Sequence, residues 1–266
     1  MRTVAGRQGW VWLAQGFLLF RKSPAMWTLL VFTYWMMIAF INQIPLAGPL
    51  IGTLALPAFS VSFMAMCREL ESGGPLRPAL LFAGFRWRLA TLITMGGLYL
   101  LSIVLVLGIS ALADGGILAK WVVYGIPPSE AALRDGRLSS ALMLAAVAGT
   151  PVVMAFWFAP VLAAWDGMGA AKALFFSFFA GWRNWRAFLV YGALLVLAAA
   201  LFSVLLVSVA VMVRGHPGML RAGLLAAILV TMPILFGSFY AAYRDVFPPD
   251  VPSVPGAGPP AEPNPS

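Results

Sequence analysis

Three carboxylates stand where long apolar runs end: Glu69, Asp166 and Asp245. If the runs are helices, each acid lies near a C-terminus, where the helix dipole disfavours negative charge. A carboxylate placed there needs a partner. In the plainer reading interfacial arginines such as Arg68, Arg88, Arg183 and Arg244 pair with them. In the sharper reading the three acids converge on a cation or a cationic substrate. Other reactive groups are scarce. Cys67 is the only cysteine and His216 the only histidine. One of each makes neither a His/Cys metal cluster nor an intrachain disulfide. Phosphate-binding glycine loops, H-E-x-x-H and paired C-x-x-C are absent from the sequence. The expectation is therefore no catalytic residue, no metal and no cofactor.

Basic-aromatic junctions recur along the chain as Phe20-Arg21-Lys22, Phe85-Arg86-Trp87-Arg88 and Trp182-Arg183-Asn184-Trp185-Arg186. Tryptophan favours the headgroup level of a bilayer, and arginine snorkels to lipid phosphates. Arg21, Lys22, Arg86, Trp87, Arg88, Trp182, Arg183, Trp185 and Arg186 are thus the candidate interface residues. Plain anchoring explains them. Selective binding of an anionic phospholipid, such as cardiolipin, is the functional reading.

The elements that position these residues are membrane spans. Hydrophobic residues make up 62% of the chain and charged residues 10%, against about 25% charged in soluble domains. The net charge of +8 lies beside the apolar runs. It therefore points to membrane topology and lipid and not to nucleic acid. A span needs about 20 apolar residues, and six runs qualify: 25–44, 49–66, 89–113, 141–165, 187–213 and 222–243. Three shorter amphipathic segments, 9–20, 76–85 and 170–185, should lie in the interface plane. The N-terminus does not read as a cleaved signal peptide, because Arg21 and Lys22 interrupt its apolar stretch, so the first span should stay as an uncleaved anchor. With the N-terminus in the cytoplasm, twelve of the 17 Lys and Arg residues face that side. The positive-inside rule then puts both termini there. Ser129 should cap a short helix in the outer loop 114–140. Residues 1–247 form one membrane domain, and the proline-rich tail 248–266 should be disordered.

The chain also repeats. The amphipathic segments precede spans one, three and five. Span two carries Pro57, then Phe63, Ala65, Arg68 and Glu69 at offsets of 6, 8, 11 and 12. Span six carries Pro233, then Phe239, Ala241, Arg244 and Asp245 at the same offsets. Span four keeps Pro151, Trp157 and Ala159 but loses the Arg–acid pair. The fold class expected is an all-α polytopic membrane helical bundle, six transmembrane helices as three hairpin units, each preceded by an interfacial amphipathic helix. Proline should kink the even spans. Small residues at Ala141, Ala145, Gly149, Gly223 and Ala227 should permit close packing.

Five motifs carry a resemblance: Phe20-Arg21-Lys22-Ser23-Pro24, Ile44-Pro45-Leu46-Ala47-Gly48-Pro49-Leu50, Leu81-Phe82-Ala83-Gly84-Phe85, Ala155-Phe156-Trp157-Phe158-Ala159-Pro160 and Tyr243-Arg244-Asp245-Val246-Phe247. Over residues 8–247 the chain resembles an uncharacterised proteobacterial multi-span inner-membrane family. That family is distantly similar to the membrane domain of some glycerophosphodiester phosphodiesterases. The resemblance implies fold and location. It brings no reaction, because the sequence lacks the soluble catalytic barrel of those enzymes. The function expected is non-enzymatic organisation of the envelope through anionic lipid or protein partners. A small-molecule or lipid transporter or channel is the alternative, favoured by repeats and prolines and opposed by spans without central charges. A membrane enzyme working from Glu69, Asp166 and Asp245 comes third.

Overall fold

The structure, a computed structural model, describes residues 1–212 and 217–248. Arg214, His216 and the tail from 249 onward lie outside the described residues. Eleven α-helices and one 3₁₀ segment account for the elements described. They are α1 (Gln8–Lys22), α2 (Pro24–Ile41), α3 (Ala47–Glu71), the 3₁₀ segment Pro78–Arg86, α4 (Leu89–Asp114), α5 (Ile117–Tyr124), α6 (Glu130–Arg134), α7 (Arg137–Trp157), α8 (Ala159–Trp165), α9 (Ala170–Arg183), α10 (Trp185–Met212) and α11 (Pro217–Val246). Six helices are long and apolar enough to cross a membrane, counting α7 and α8 as one. The molecule is a polytopic helical bundle.

Each short amphipathic segment precedes one pair of spans but docks on the pair before it. The 3₁₀ segment packs on α3, α9 packs on α7, and α1 packs on α11 at the other end of the chain. The first helix thereby closes a ring of three units. The docking is made by missing side chains. A Cβ on Gly84 would lie against the Ala58 carbonyl and the Ser62 amide of α3. A Cβ on Gly16 would lie against the Ile234 carbonyl and the Ser238 amide of α11. These contacted residues stand one and five places after Pro57 and Pro233 respectively, so the same seam is built twice. Gly237 of α11 meets Gly16 from the other side. In the middle unit Gly181 packs on the Met154 side chain instead.

Apart from Trp12, α1 and α9 turn small residues inward and many of their large ones outward. In α1 the buried positions are Gly9, Trp12 and Gly16, whereas Trp10 and Phe17 are exposed. In α9 they are Ala173, Ser177, Ala180 and Gly181, with Phe175 and Trp182 exposed. Outward aromatics fit a surface solvated by lipid. The 76–85 segment forms 3₁₀ turns where a regular amphipathic helix was expected. Pro75 and Pro78 restrict its start. Its Gly84 amide leaves the local ladder to donate to Ser62 Oγ at 2.9 Å.

The fourth span breaks at Phe158, seven residues beyond the proline that should kink it. The cause is Ser177 of α9. Its hydroxyl accepts from the Phe158 amide at 2.9 Å and donates to the Met154 carbonyl at 2.8 Å. Those two backbone groups would bond each other in a regular helix. A hydroxyl spliced between them bends the helix, and Pro160 prevents the ladder from resuming at once.

Burial concentrates at the end of the bundle that holds both Arg2 and Val246, called here the closed end. Two apolar clusters meet there, joined by Phe85, Trp165, Phe239 and Tyr243, which touch both. Phe63 of α3 stacks on Phe236 of α11 with centroids 4.3 Å apart, and Trp157 of α7 lies 4.4 Å from Phe239. The offset-6 aromatics Trp157 and Phe239 thus meet directly, while the third, Phe63, reaches α11 through Phe236, three residues after Pro233. The N-terminal segment is tied in by hydrogen bonds. The Arg2 amide donates to the Val246 carbonyl at 2.8 Å. The Val4 amide donates to Asn184 Oδ1 at 2.8 Å, and Asn184 Nδ2 donates to the Arg2 carbonyl at 3.1 Å.

At the far end, Ser129 accepts from the Ala132 amide and caps α6. The buried Asp114 caps α5 by accepting from the Gly116 and Leu118 amides, a helix the sequence did not announce. Ala141 and Ala145 join a small cluster with Leu118 and Leu138. Gly149 makes no close packing contact, contrary to expectation.

Candidate functional site

The polar groups of the closed end gather around the last turns of α11. One face of α1 supplies the matching groups: Gln8, Trp12, Gln15, Leu19 and Lys22, spaced by four, three, four and three residues. That spacing puts all five on one stripe. Trp12 is fully buried, packed 5.3 Å from Phe188 and 6.2 Å from Tyr191.

Asp245 accepts from Gln8 Nε2 at 2.7 Å and from Trp12 Nε1 at 2.9 Å. Arg244, one residue earlier, turns toward α3. Its guanidinium pairs with the Glu71 carboxylate and also donates to Gln15 Oε1 at 3.2 Å. The Tyr240 hydroxyl donates to the other Glu71 oxygen at 2.5 Å. Lys22 Nζ donates to the Leu70 carbonyl at 2.8 Å, which satisfies one of the free carbonyls ending α3. The side chains of Glu71 and Arg244 are 35% and 39% exposed, so solvent or headgroups reach this pair. Beside it lies a cavity of about 250 Å³ lined by Gln15, Leu18, Leu19, Lys22, Glu71, Tyr240, Ala241 and Arg244.

Asp166 ends α8 on a third side of α11. Burial is the larger effect there and raises its carboxyl above the usual aspartate range. The Tyr243 hydroxyl beside it acts against that. Arg68 lies 5.2 Å above the Trp165 ring, a cation–π contact.

The three acids of the sequence reading therefore stand apart. Among the described residues, no group of three His, Cys, Asp or Glu side chains comes together. The arginine pairing expected for them is also corrected. Among the described residues the ion pairs are Arg134–Glu130, Arg137–Asp135 and Arg244–Glu71. Asp245 is held by an indole and an amide, and Asp166 lies beside the Tyr243 phenol. Glu69 lies near Gly74. The acid that needs an arginine at a helix end is Glu71. Offset matching had selected Glu69, and two residues along a helix is about a 200° turn, so the two acids face different ways. Arg88 and Arg183 also bond elsewhere, Arg88 to the Gly167 carbonyl and Arg183 to Thr3 Oγ1. Cys67 is buried.

All nine junction residues are exposed: Arg21, Lys22, Arg86, Trp87, Arg88, Trp182, Arg183, Trp185 and Arg186. They ring the closed end. Asn184, inside the third junction, points the other way and is buried.

Apolar spans solvated by lipid and a polar rim at one end define an integral, multi-pass membrane protein. The chain is similar to a probable inner membrane protein of Burkholderia thailandensis, 38% identical over 259 residues and covering 95% of each chain. It belongs to that family of inner-membrane proteins. No family model matches the chain, and no solved structure matches it.

Proposed function

We propose that this protein is a non-enzymatic organiser of the inner membrane that gathers anionic phospholipid around its closed end. In this reading the closed end faces the cytoplasm and both termini lie inside. The observation that carries it is the exposure of three basic-aromatic junctions around one end of the bundle. Three of the junction residues are exposed tryptophans, Trp87, Trp182 and Trp185, and Trp10 of α1 is exposed as well. Cations there would meet phosphates, and indoles would sit at headgroup level. The aromatic packing of Phe63, Phe236, Phe239 and Trp157 between the even spans supports a scaffold over a transport path. In this reading the resemblance to the membrane domain of glycerophosphodiester phosphodiesterases is one of architecture alone.

The test is the lipid that accompanies the protein. Purified in mild detergent, the native chain should carry phosphatidylglycerol or cardiolipin well above their share of the membrane. The double variant Arg86→Gln/Arg186→Gln should lose much of that excess. Co-purified lipid matching the bulk membrane, with no bound protein partner, would sink the proposal. Substrate uptake by liposomes containing the pure protein would favour transport instead.

A further inference from the structure

The cavity between α1, α3 and α11 differs in kind from the rim. Its walls come from three helices, and it combines fixed charge with an apolar mouth. Lys22, Arg244 and Glu71 leave a net charge of +1 along its lining. Glu71 is already satisfied by Arg244 and Tyr240, so the surplus charge is that of Lys22. An ammonium has three donors, and Lys22 uses one on the Leu70 carbonyl. The guanidinium of Arg244 likewise has donors beyond those given to Glu71 and Gln15. Leu18 and Leu19 form the apolar side, and Leu18 is 55% exposed. Lys22 ends α1, Glu71 ends α3 and Arg244 lies in the last turn of α11. Glu71 and Arg244 therefore stand where spans leave the hydrocarbon, and Lys22 where the interfacial α1 gives way to the first span.

We propose that this cavity holds the phosphate and glycerol of a single anionic phospholipid, with its acyl chains leaving past Leu18 into the bilayer. The site rests on the lipid-binding reading above and goes beyond it by naming one stoichiometric position. A cavity of about 250 Å³ has the volume of about eight waters at ~30 Å³ each. A phosphate and three glycerol carbons fit that space, and the acyl chains do not. The phosphate accepts from Lys22 and Arg244 in charge-assisted bonds. Tyr240 and Gln15 hold Glu71 and Arg244 in place beneath it.

Native mass spectrometry on the delipidated full chain, titrated with phosphatidylglycerol or with phosphatidylcholine of the same chains, tests the site. The native protein should bind one phosphatidylglycerol at least tenfold more tightly than any further copy, and more tightly than phosphatidylcholine. Lys22→Gln should weaken that first copy about tenfold or more. Leu18→Glu, at the exposed mouth, should do the same by repulsion and serves if Lys22→Gln does not fold. Arg86→Gln/Arg186→Gln should leave the first copy bound while thinning the later ones, which separates failure of this site from failure of the rim. Glycerol 3-phosphate at millimolar concentration should not displace the lipid. An unchanged first copy in both Lys22→Gln and Leu18→Glu overturns the proposal. Displacement by glycerol 3-phosphate also overturns it, by assigning the cavity to a soluble phosphate ester.

Discussion

Replacing Gly16 by alanine adds one methyl group at the seam that closes the ring. That methyl would begin within van der Waals radii of the Ile234 carbonyl oxygen and 2.7 Å from the Ser238 amide. Both obstacles are backbone, so no rotamer change relieves them. Helices α1 and α11 must separate by about 1 Å, which also loosens the Trp12–Asp245 and Arg244–Gln15 hydrogen bonds along the same stripe. Overpacking typically costs about 1–3 kcal/mol, and a backbone-against-backbone clash belongs at the top of that range. At roughly 2–4 °C per kcal/mol for a chain of this size, Tm should fall by about 6–12 °C. The control is Gly52→Ala in α3, where a Cβ meets nothing within 4 Å. There the same chemical change relieves backbone entropy and should stabilise by about 0.5–1 kcal/mol. Thermal unfolding of both variants in one detergent, followed by light scattering or intrinsic fluorescence, makes the comparison. Equal Tm for Gly16→Ala and Gly52→Ala would refute the docking of α1 on α11.

Three further outcomes follow from other parts of the molecule. Ser177→Ala leaves the Phe158 amide and the Met154 carbonyl either unpaired, at about 1–3 kcal/mol per buried group, or paired with each other only if the span straightens and repacks against α9, so a Tm fall comparable to that of Gly16→Ala is expected by the same assay. Asp166 holds its proton more tightly in the fold than in the unfolded chain, so its contribution is full below the ordinary aspartate value of about 3.9 and is lost as pH rises through the higher folded value. Asp166→Asn should therefore match the native Tm at acid pH and gain on it as pH rises past that window; a difference independent of pH would refute the assignment. Trp12→Phe keeps the ring packing against Phe188 and Tyr191 but removes one of the two donors to Asp245, and protease cleavage near residue 8 should become faster.

The six spans were legible because hydrocarbon thickness sets a length and a polarity that few other structures satisfy. The repeat was legible through its prolines and offset-6 aromatics, of which Trp157 and Phe239 meet in the core while Phe63 stacks on Phe236 instead. What joins the units was not. Gly16 and Gly84 act through atoms they lack, and nothing in a periodicity of apolar residues marks a glycine as a contact. The break at Phe158 depends on a hydroxyl from a helix nineteen residues away, so Pro151 drew attention to the wrong turn. Glu71 was passed over because the repeat aligned Glu69 with Asp245, while the pairing is set by which face of α3 looks toward α11. One signal was present: Gln8, Gln15 and Lys22 share a helical stripe with Trp12, and that stripe is the one α11 reads.

The seam between α1 and α11 also has a timetable. The Gln8–Asp245 hydrogen bond spans 237 residues. At synthesis rates of about 5–20 residues per second, the first helix is made roughly 12–47 s before its partner exists. Through that interval its glycine face and its Trp12 indole have no seat, while the other two seams form between segments close in sequence. Assembly is thus ordered by the ribosome, with the earliest helix the last to dock. A nascent chain stalled before α11 would hold two closed seams and one open one, with the stripe of α1 uncovered at the membrane surface.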